Sequence, residues 1–200
     1  MVYYFEKSIE LNYHNPISIV YMILVKHYCV NDFDEKLKNL CEIIIKKDNF
    51  PQIEYYWFLL GKVYDKKHEN YNTAITYYNK AASLNYTEAY ISIANCYRKL
   101  KDYNQMFKYF NMAINRKNYI AYFSIAMYYI CCDSENNIPK FLNYMNLAIE
   151  NKCIIGYLGL AIHYFDNENF PLAKENFIKF IVNYQYPVPS GYGCYNEIKL

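Results

Sequence analysis

Apolar side chains recur along this chain at the spacing of amphipathic α-helices, most clearly between Thr87 and Ile120. In the first half of that stretch the intervals of three, four and seven residues place one apolar stripe on a helix. This stripe consists of Tyr90, Ile93, Ala94, Tyr97 and Leu100. Asp102 and Gln105 have the spacing of a capping box, which begins a second helix. The second stripe consists of Met106, Phe107, Phe110, Ala113 and Ile114. The stretch therefore predicts a helical hairpin.

This hairpin recurs along the chain. One residue in the middle of each second helix, here called the marker residue, gives the register, and the markers are Ser8, Ile43, Ala81, Ala113, Ala148 and Phe180. Successive markers are 35, 38, 32, 35 and 32 residues apart, which is the interval of helical-hairpin repeats. The first helices keep the same rhythm at Leu24, Gly61, Ala94, Ala126 and Ala161. Because one hairpin cannot bury both of its stripes alone, we expect the hairpins to stack.

The repeats resemble the tetratricopeptide repeat superfamily, and within it the Sel-one-like branch. The resemblance covers nearly the whole chain and rests on apolar, small and aromatic residues of three repeats. These are Trp57, Leu60, Gly61, Tyr64, Ala74, Tyr78 and Ala81, then Tyr90, Ile93, Ala94, Tyr97, Phe110 and Ala113, then Tyr157, Leu160, Ala161, Tyr164, Ala173 and Phe177. The second helix from Tyr71 to Asn85 is the closest match to the branch. The resemblance implies an all-α fold, a right-handed α-α superhelix of antiparallel helix pairs.

We expect about five hairpins, preceded by an N-terminal half-repeat. Their expected ranges are Pro16–Asp48, Pro51–Leu84, Thr87–Lys117, Ile120–Glu150 and Ile154–Asn183. Helix starts are predicted where an Asn precedes a first-turn Pro, as at Asn137 and Asn169, and where Asn49 is spaced to form a capping box with Gln52. Residues 1–184 form the predicted repeat domain. Residues 185–200, with two Pro and two Gly, form an irregular tail.

Composition supports a large helical core and excludes several classes of protein. Hydrophobic residues make up 54% of the chain and aromatic residues 20%, far above the level of disordered sequences. The abundance of Tyr, Asn, Ile and Lys is typical of an AT-rich genome, so we give these residue types little functional weight. The net charge of +2 comes from interspersed basic and acidic residues, which makes nucleic acid an unlikely partner.

The sequence predicts an intracellular protein. No apolar run approaches the length of a membrane span, and Glu6, Lys7 and Glu10 occupy the place where a signal peptide needs apolar residues. The seven Cys are irregularly spaced, which indicates free thiols in a reducing compartment. We therefore expect a cytoplasmic location, with the nucleus or a host-cell cytosol as alternatives.

Candidate chemistry is sparse. The four His have no metal-ligand spacing, and His27 stands where the other repeats have Tyr, which favours a packing role. Asp32 and Glu35 fit a capping box better than an acid/base pair. No nucleophile or phosphate-loop motif occurs. We expect no cofactor, no metal and no catalytic site, and we predict that the chain is not an enzyme.

The resemblance implies that the first helices line a concave groove that binds a segment of another protein. The residues expected on that groove are Tyr21, Tyr55, Phe58, Lys62, Asn95, Arg98 and Phe123. Aromatic and Arg side chains are enriched in protein interfaces, which favours a protein-binding scaffold or adaptor. Packing of these aromatics inside a tightly wound superhelix is the alternative. Two alternatives stay open: the chain is an RNA-binding helical-repeat protein, or it is the interaction module of a larger enzyme.

Overall fold

The computed structural model describes residues 38, 39, 41, 42, 45, 46, 52–66, 70–131 and 137–184. Residues 38, 39, 41, 42 and 45 are helical. The helices that follow are α1 (Ile53–Lys66), α2 (Tyr71–Ser83), α3 (Glu88–Lys99), α4 (Tyr103–Asn115), α5 (Ile120–Cys131), α6 (Ile138–Glu150), α7 (Ile155–Asp166) and α8 (Phe170–Asn183). Every regular element in these ranges is a helix, which confirms the all-α prediction.

The chain divides into two compact units, residues 1–100 and residues 101–200. In the first unit α1 packs against α2, and α2 against α3. In the second unit each helix from α4 to α8 packs against the next, and α5 also contacts α7. Short turns join consecutive helices, so consecutive helices that contact each other are antiparallel. This succession of helices, with marker residues 32 to 35 positions apart, is the helical-hairpin repeat expected from the sequence.

The predicted helix ranges agree with the structure wherever it describes the chain. The range Pro51–Leu84 contains α1 and α2, Thr87–Lys117 contains α3 and α4, Ile120–Glu150 contains α5 and α6, and Ile154–Asn183 contains α7 and α8. Most of the first predicted hairpin, the N-terminal half-repeat and the tail of residues 185–200 lie outside the described residues. The extent of one repeat domain over residues 1–184 stays a prediction.

Side-chain caps fix several helix starts, though not all of the predicted ones. Asp102 accepts a hydrogen bond from the backbone N–H of Gln105 at 3.1 Å, as its spacing predicts. Asn169 accepts one from Leu172 N–H at 3.4 Å. Asn137 makes no such bond, and its backbone lies in the α-helical region, whereas a capping residue ordinarily has a non-helical backbone.

The predicted capping box at Gln52 is wrong. Gln52 precedes the first residue of α1 and has a φ of 58°, so it cannot be the third residue of that helix. Its partner in the prediction, Asn49, lies outside the described residues. The start of α2 has a cap that was not predicted from the sequence: Asn70 accepts a hydrogen bond from Thr73 N–H at 3.2 Å.

Small residues at the repeat register hold the helices close together. The marker residues Ala81, Ala113 and Ala148 are all 0% exposed. Gly61 in α1 lies directly against the ring of Tyr78 in α2, where a Cβ atom would come within 2.5 Å of Cδ1 and Cε1. Leu100 departs from its predicted stripe and is 41% exposed, because α3 ends at Lys99 and the turn carries Leu100 away from the buried face.

Candidate protein-binding face

Five of the seven residues expected to contact a partner lie on described helices of the first unit. Tyr55, Phe58 and Lys62 lie on α1, and Asn95 and Arg98 lie on α3. We call these five residues the first-helix face. Phe123 belongs to α5 in the second unit, and Tyr21 lies outside the described residues.

An ion pair places α1 and α3 side by side. The Nζ atom of Lys99 lies 2.6 Å from Oδ1 of Asp65, across 34 residues, one more than the 33 between Gly61 and Ala94. Lys99 also lies 5.0 Å from the centre of the Tyr71 ring. Burial lowers the pKa of Lys99, but the hydrogen bond and negative charge of Asp65 outweigh it, so the pKa of Lys99 is raised. Equivalent helices of successive repeats are thus held together at their C-terminal ends.

The position of Phe58 corrects the prediction that it contacts a partner directly. Phe58 is only 4% exposed. Its ring centre lies 4.8 Å from that of Tyr86 and 5.5 Å from that of Tyr78. Tyr86, in the turn before α3, covers Phe58 and was missed by sequence reasoning. Its sequence signal is an aromatic residue in the turn between α2 and α3.

Phe58 nevertheless supports the residue beside it. Lys62, one helical turn further along α1, places its Nζ atom 5.2 Å from the centre of the Phe58 ring. A cation over an aromatic face is attracted to the ring, and the apolar stem of the lysine lies along apolar surface. Tyr55, which is half-buried, has its ring centre 6.1 Å from those of Tyr56 and Tyr86. Lys62 and Tyr55 therefore have defined neighbours within the first unit.

The α3 part of the face is polar. Asn95 and Arg98 are both half-buried, on a helix whose opposite side buries Ile93 and Ala94 completely. The Nε atom of Arg98 is buried and has no hydrogen-bond partner within the described ranges. A buried donor without an acceptor is costly, so this guanidinium is a natural place for an acceptor or water to bind.

Phe123 lies apart from these residues in the sequence and packs within the second unit. It rests against the buried cluster of Ala126, Phe141, Met145 and Leu160. Its half-buried ring is thus at least partly a packing residue, as the alternative interpretation of the inner aromatics expected.

Among the residues that the structure describes, no three His, Cys, Asp or Glu side chains are placed to hold a metal ion. His163 is 9% exposed with its ring 4.8 Å from that of Phe141, and burial lowers its pKa, so it is a neutral packing residue. None of the helices described here is long and apolar enough to cross a membrane.

Comparisons with known proteins add little to this description. No protein-family model matches the chain. No curated protein matches its sequence. Among solved structures it is similar to the crystal structure of MamA at 20% identity, over 76% of this chain and 88% of that chain, with a TM-score of 0.48.

Proposed function

We propose that this chain is a non-enzymatic protein-interaction module that binds a segment of a partner protein on the first-helix face. The observation that carries the proposal is the placement of Lys62 on α1 and of Asn95 and Arg98 on α3, half-buried on neighbouring helices one repeat apart. Half-buried polar side chains with defined neighbours lose less conformational entropy on binding than freely rotating ones.

The charges of the face are ordered along the helices. Glu54 and Glu88 stand in the first turns of α1 and α3, whereas Lys66 and Arg98 stand in their last turns. Asp65 is paired with Lys99, so its negative charge is compensated. We infer that a partner segment is oriented by this polarity, with its acidic side chains toward Lys62 and Arg98.

The experiment is affinity capture from native extract with charge-matched variants. Lys62→Ala with Arg98→Ala removes two cations from the face, and Lys46→Ala with Lys108→Ala removes two exposed cations elsewhere. We expect the first variant to lose proteins that both wild type and the second variant retain, with unchanged helicity and thermal midpoint. Equal capture by both variants would refute binding of a partner on the first-helix face. Loss of folding in the first variant would mean that Lys62 and Arg98 stabilise the fold.

We also propose that the repeats belong to the Sel-one-like branch and that the protein is cytoplasmic. The branch is supported by the unequal repeat intervals of 32 and 35 residues and by the match of the helix beginning at Tyr71. The location is supported by thiols that form no disulfide at Cys41, Cys96, Cys131 and Cys153. Fractionation of the source cells with an antibody to the native protein tests the location.

A further inference from the structure

Helix α8 is apolar at two exposed positions that the preceding second helices keep polar. These positions lie two residues before and two residues after the marker. They are polar and exposed in α2, α4 and α6, as Asn79 and Ser83, Asn111 and Asn115, and Asn146 and Glu150. In α8 they are Ile178 and Val182, exposed by 49% and 66%. Exposed apolar surface of this kind marks a site of interaction.

The two residues belong to a continuous apolar surface. Phe177 and Ile181 lie beside them and are 47% and 55% exposed. We call Phe177, Ile178, Ile181 and Val182 the outer face of α8. On a helix of 3.6 residues per turn these four side chains cover an arc of about 140°. Ala173, outside this arc, is buried within the second unit, so α8 has apolar surface on two sides.

A following hairpin would not cover this face completely. Three residues before the marker of α6, Met145 is 0% exposed and lies against Gly159 of α7, where a Cβ atom would come within 2.5 Å of the methionine Cε. The neighbouring Asn146 stays exposed beside the same helix. A first helix after α8 would thus cover Phe177, which has the register of Met145, but would leave Ile178 in solvent. The occupant of the outer face must reach further round α8.

The charges of α8 favour one orientation of a second α8 on this face. Glu175 and Lys179 form an ion pair of 2.6 Å at its margin. Lys174 is exposed and falls on the same side of the helix as Phe177 and Ile181. Two parallel copies of α8 would bring their Lys174 side chains together. In antiparallel copies these lysines lie about 12 Å apart along the axis, each near the partly negative C-terminal end of the other helix.

We propose that the outer face of α8 binds the same face of a second copy of this chain, with the two helices antiparallel. A two-fold axis then passes close to Ile178, and Val182 of each copy lies beside Lys174 of the other. Such a contact is self-complementary, which is the usual way in which two identical chains associate. Each copy covers the apolar residues of the other, and each Lys174 gains an opposite partial charge.

The apolar surface is large enough for a small interface. The outer face continues toward α7 through Phe170 and Phe165, which are 56% and 61% exposed and have ring centres 5.6 Å apart. With the four residues of the outer face they expose roughly 450 Å² of apolar surface. Two copies would bury about twice this area, close to the ~1,000 Å² at which specific interfaces begin. We therefore expect a dimer that forms at micromolar concentrations.

A charge swap at Ile178, where the two copies meet, tests the contact by sedimentation of the full chain. Ile178→Asp places two carboxylates against each other across the axis, and Ile178→Lys places two ammonium groups there. Over about 1–200 µM the wild type should associate from one chain to two, whereas each variant alone should associate at least about tenfold more weakly. An equimolar mixture of the two variants should restore the dimer, because opposite charges then meet.

Three results would overturn the proposal. A wild type that stays monomeric over this range would assign the face to another part of the chain or to a different protein. Dimers that persist in both variants would place the interface away from α8. A mixture of the variants that fails to associate would exclude a two-fold contact at Ile178.

A second variant guards against a charged residue that disturbs folding. Ile178→Asn with Val182→Ser gives α8 the residues that α2 has at these positions, Asn79 and Ser83, so the helix content by circular dichroism should be unchanged while the dimer is lost. The matched control is Ile130→Asp, since Ile130 on α5 is 39% exposed and outside the outer face. It should leave the dimer intact, and an equal loss there would contradict the proposed interface.

Discussion

Asp65 and Lys99 are joined by an ion pair of 2.6 Å although 34 residues separate them in the chain. The interval is one residue longer than the 33 between Gly61 and Ala94, so the pair joins nearly equivalent positions, near the C-terminal ends, of two successive first helices. Asp65 is the more buried partner, with 18% of its side chain exposed against 39% for Lys99. The pair thus ties together the two helices that carry the first-helix face.

Breaking this pair should weaken the first unit modestly. We expect Lys99→Met to cost about 0.2–1 kcal/mol of unfolding free energy, since partly exposed ion pairs contribute little, and high salt should reduce the difference. The pKa of Lys99 is raised in the folded state, so its contribution is complete below the ordinary lysine pKa of 10.5 and is lost as pH rises through the higher folded-state value. Urea unfolding at several salt concentrations and pH values measures this.

The control is Lys179→Met, which breaks a pair between Lys179 and Glu175 within α8 at the same distance of 2.6 Å. Both of its side chains are about half exposed, at 48% and 54%, and it joins no second helix. A larger effect for Lys179 than for Lys99 would show that the link between α1 and α3 is not stabilising.

Replacing Gly61 and Gly159 of the first helices by Ala should change the stability of the protein by different amounts. Gly61→Ala places a methyl group 2.5 Å from the rigid ring of Tyr78, and we expect it to destabilise by about 1–3 kcal/mol. Gly159→Ala meets mainly the Cε and Sδ atoms at the flexible end of Met145, at 2.5 and 2.7 Å. Because Met145 can shift and Ala favours the helix by about 1 kcal/mol, this change should be near neutral.

Thermal unfolding of both variants decides the comparison. Equal losses would mean that Met145 is held as rigidly as Tyr78. A gain in stability for Gly61→Ala would mean that α1 and α2 are not as close as the contact between Gly61 and Tyr78 requires.

Periodicity predicted the helices and the buried small residues because each repeat poses the same packing problem. Ala81, Ala113 and Ala148 are buried for one reason, the close approach of neighbouring helices, and that reason is visible as a spacing. The burial of Phe58 was not predictable in this way, since it depends on Tyr86 in a turn. Turns differ from repeat to repeat, so the candidate face could be located by sequence but not divided into covered and accessible residues.

Helix ends offer a route to stabilisation. Lys117 follows α4 with a φ of 61°, the left-handed conformation, and its N–H bonds to Ile114 C=O at 2.8 Å while Asn118 N–H bonds to Ala113 C=O at 3.0 Å. This is a Schellman motif, in which Gly is the preferred residue at the left-handed position. Lys117→Gly should therefore stabilise the protein by about 1 kcal/mol.

Asn85 provides the comparison for Lys117. It occupies the same place after α2 with a φ of 66°, but Asn tolerates the left-handed conformation, so Asn85→Gly should gain less. Chemical unfolding of both variants gives the two differences. A loss of stability in Lys117→Gly would indicate that the lysine side chain contributes more than its backbone strain costs.

The thiols should differ strongly in reactivity. Cys96 on α3 is 0% exposed, and burial together with the charge of Asp65 raises its pKa to about 12. Cys131, at the end of α5, is exposed. Since the thiolate is the reactive form, iodoacetamide at pH 8 should alkylate Cys131 long before Cys96, which mass spectrometry of the digested protein resolves.

Unfolding provides the control for this difference. In concentrated urea both cysteines should react at similar rates, because burial no longer suppresses the Cys96 thiolate. Asp65→Asn removes a negative charge that raises the Cys96 pKa and also releases Lys99, so it should speed alkylation of Cys96 in the folded protein. If Cys96 reacted as fast as Cys131 in the folded wild type, α3 would not be closed against α2, and the first-helix face would lack a rigid support.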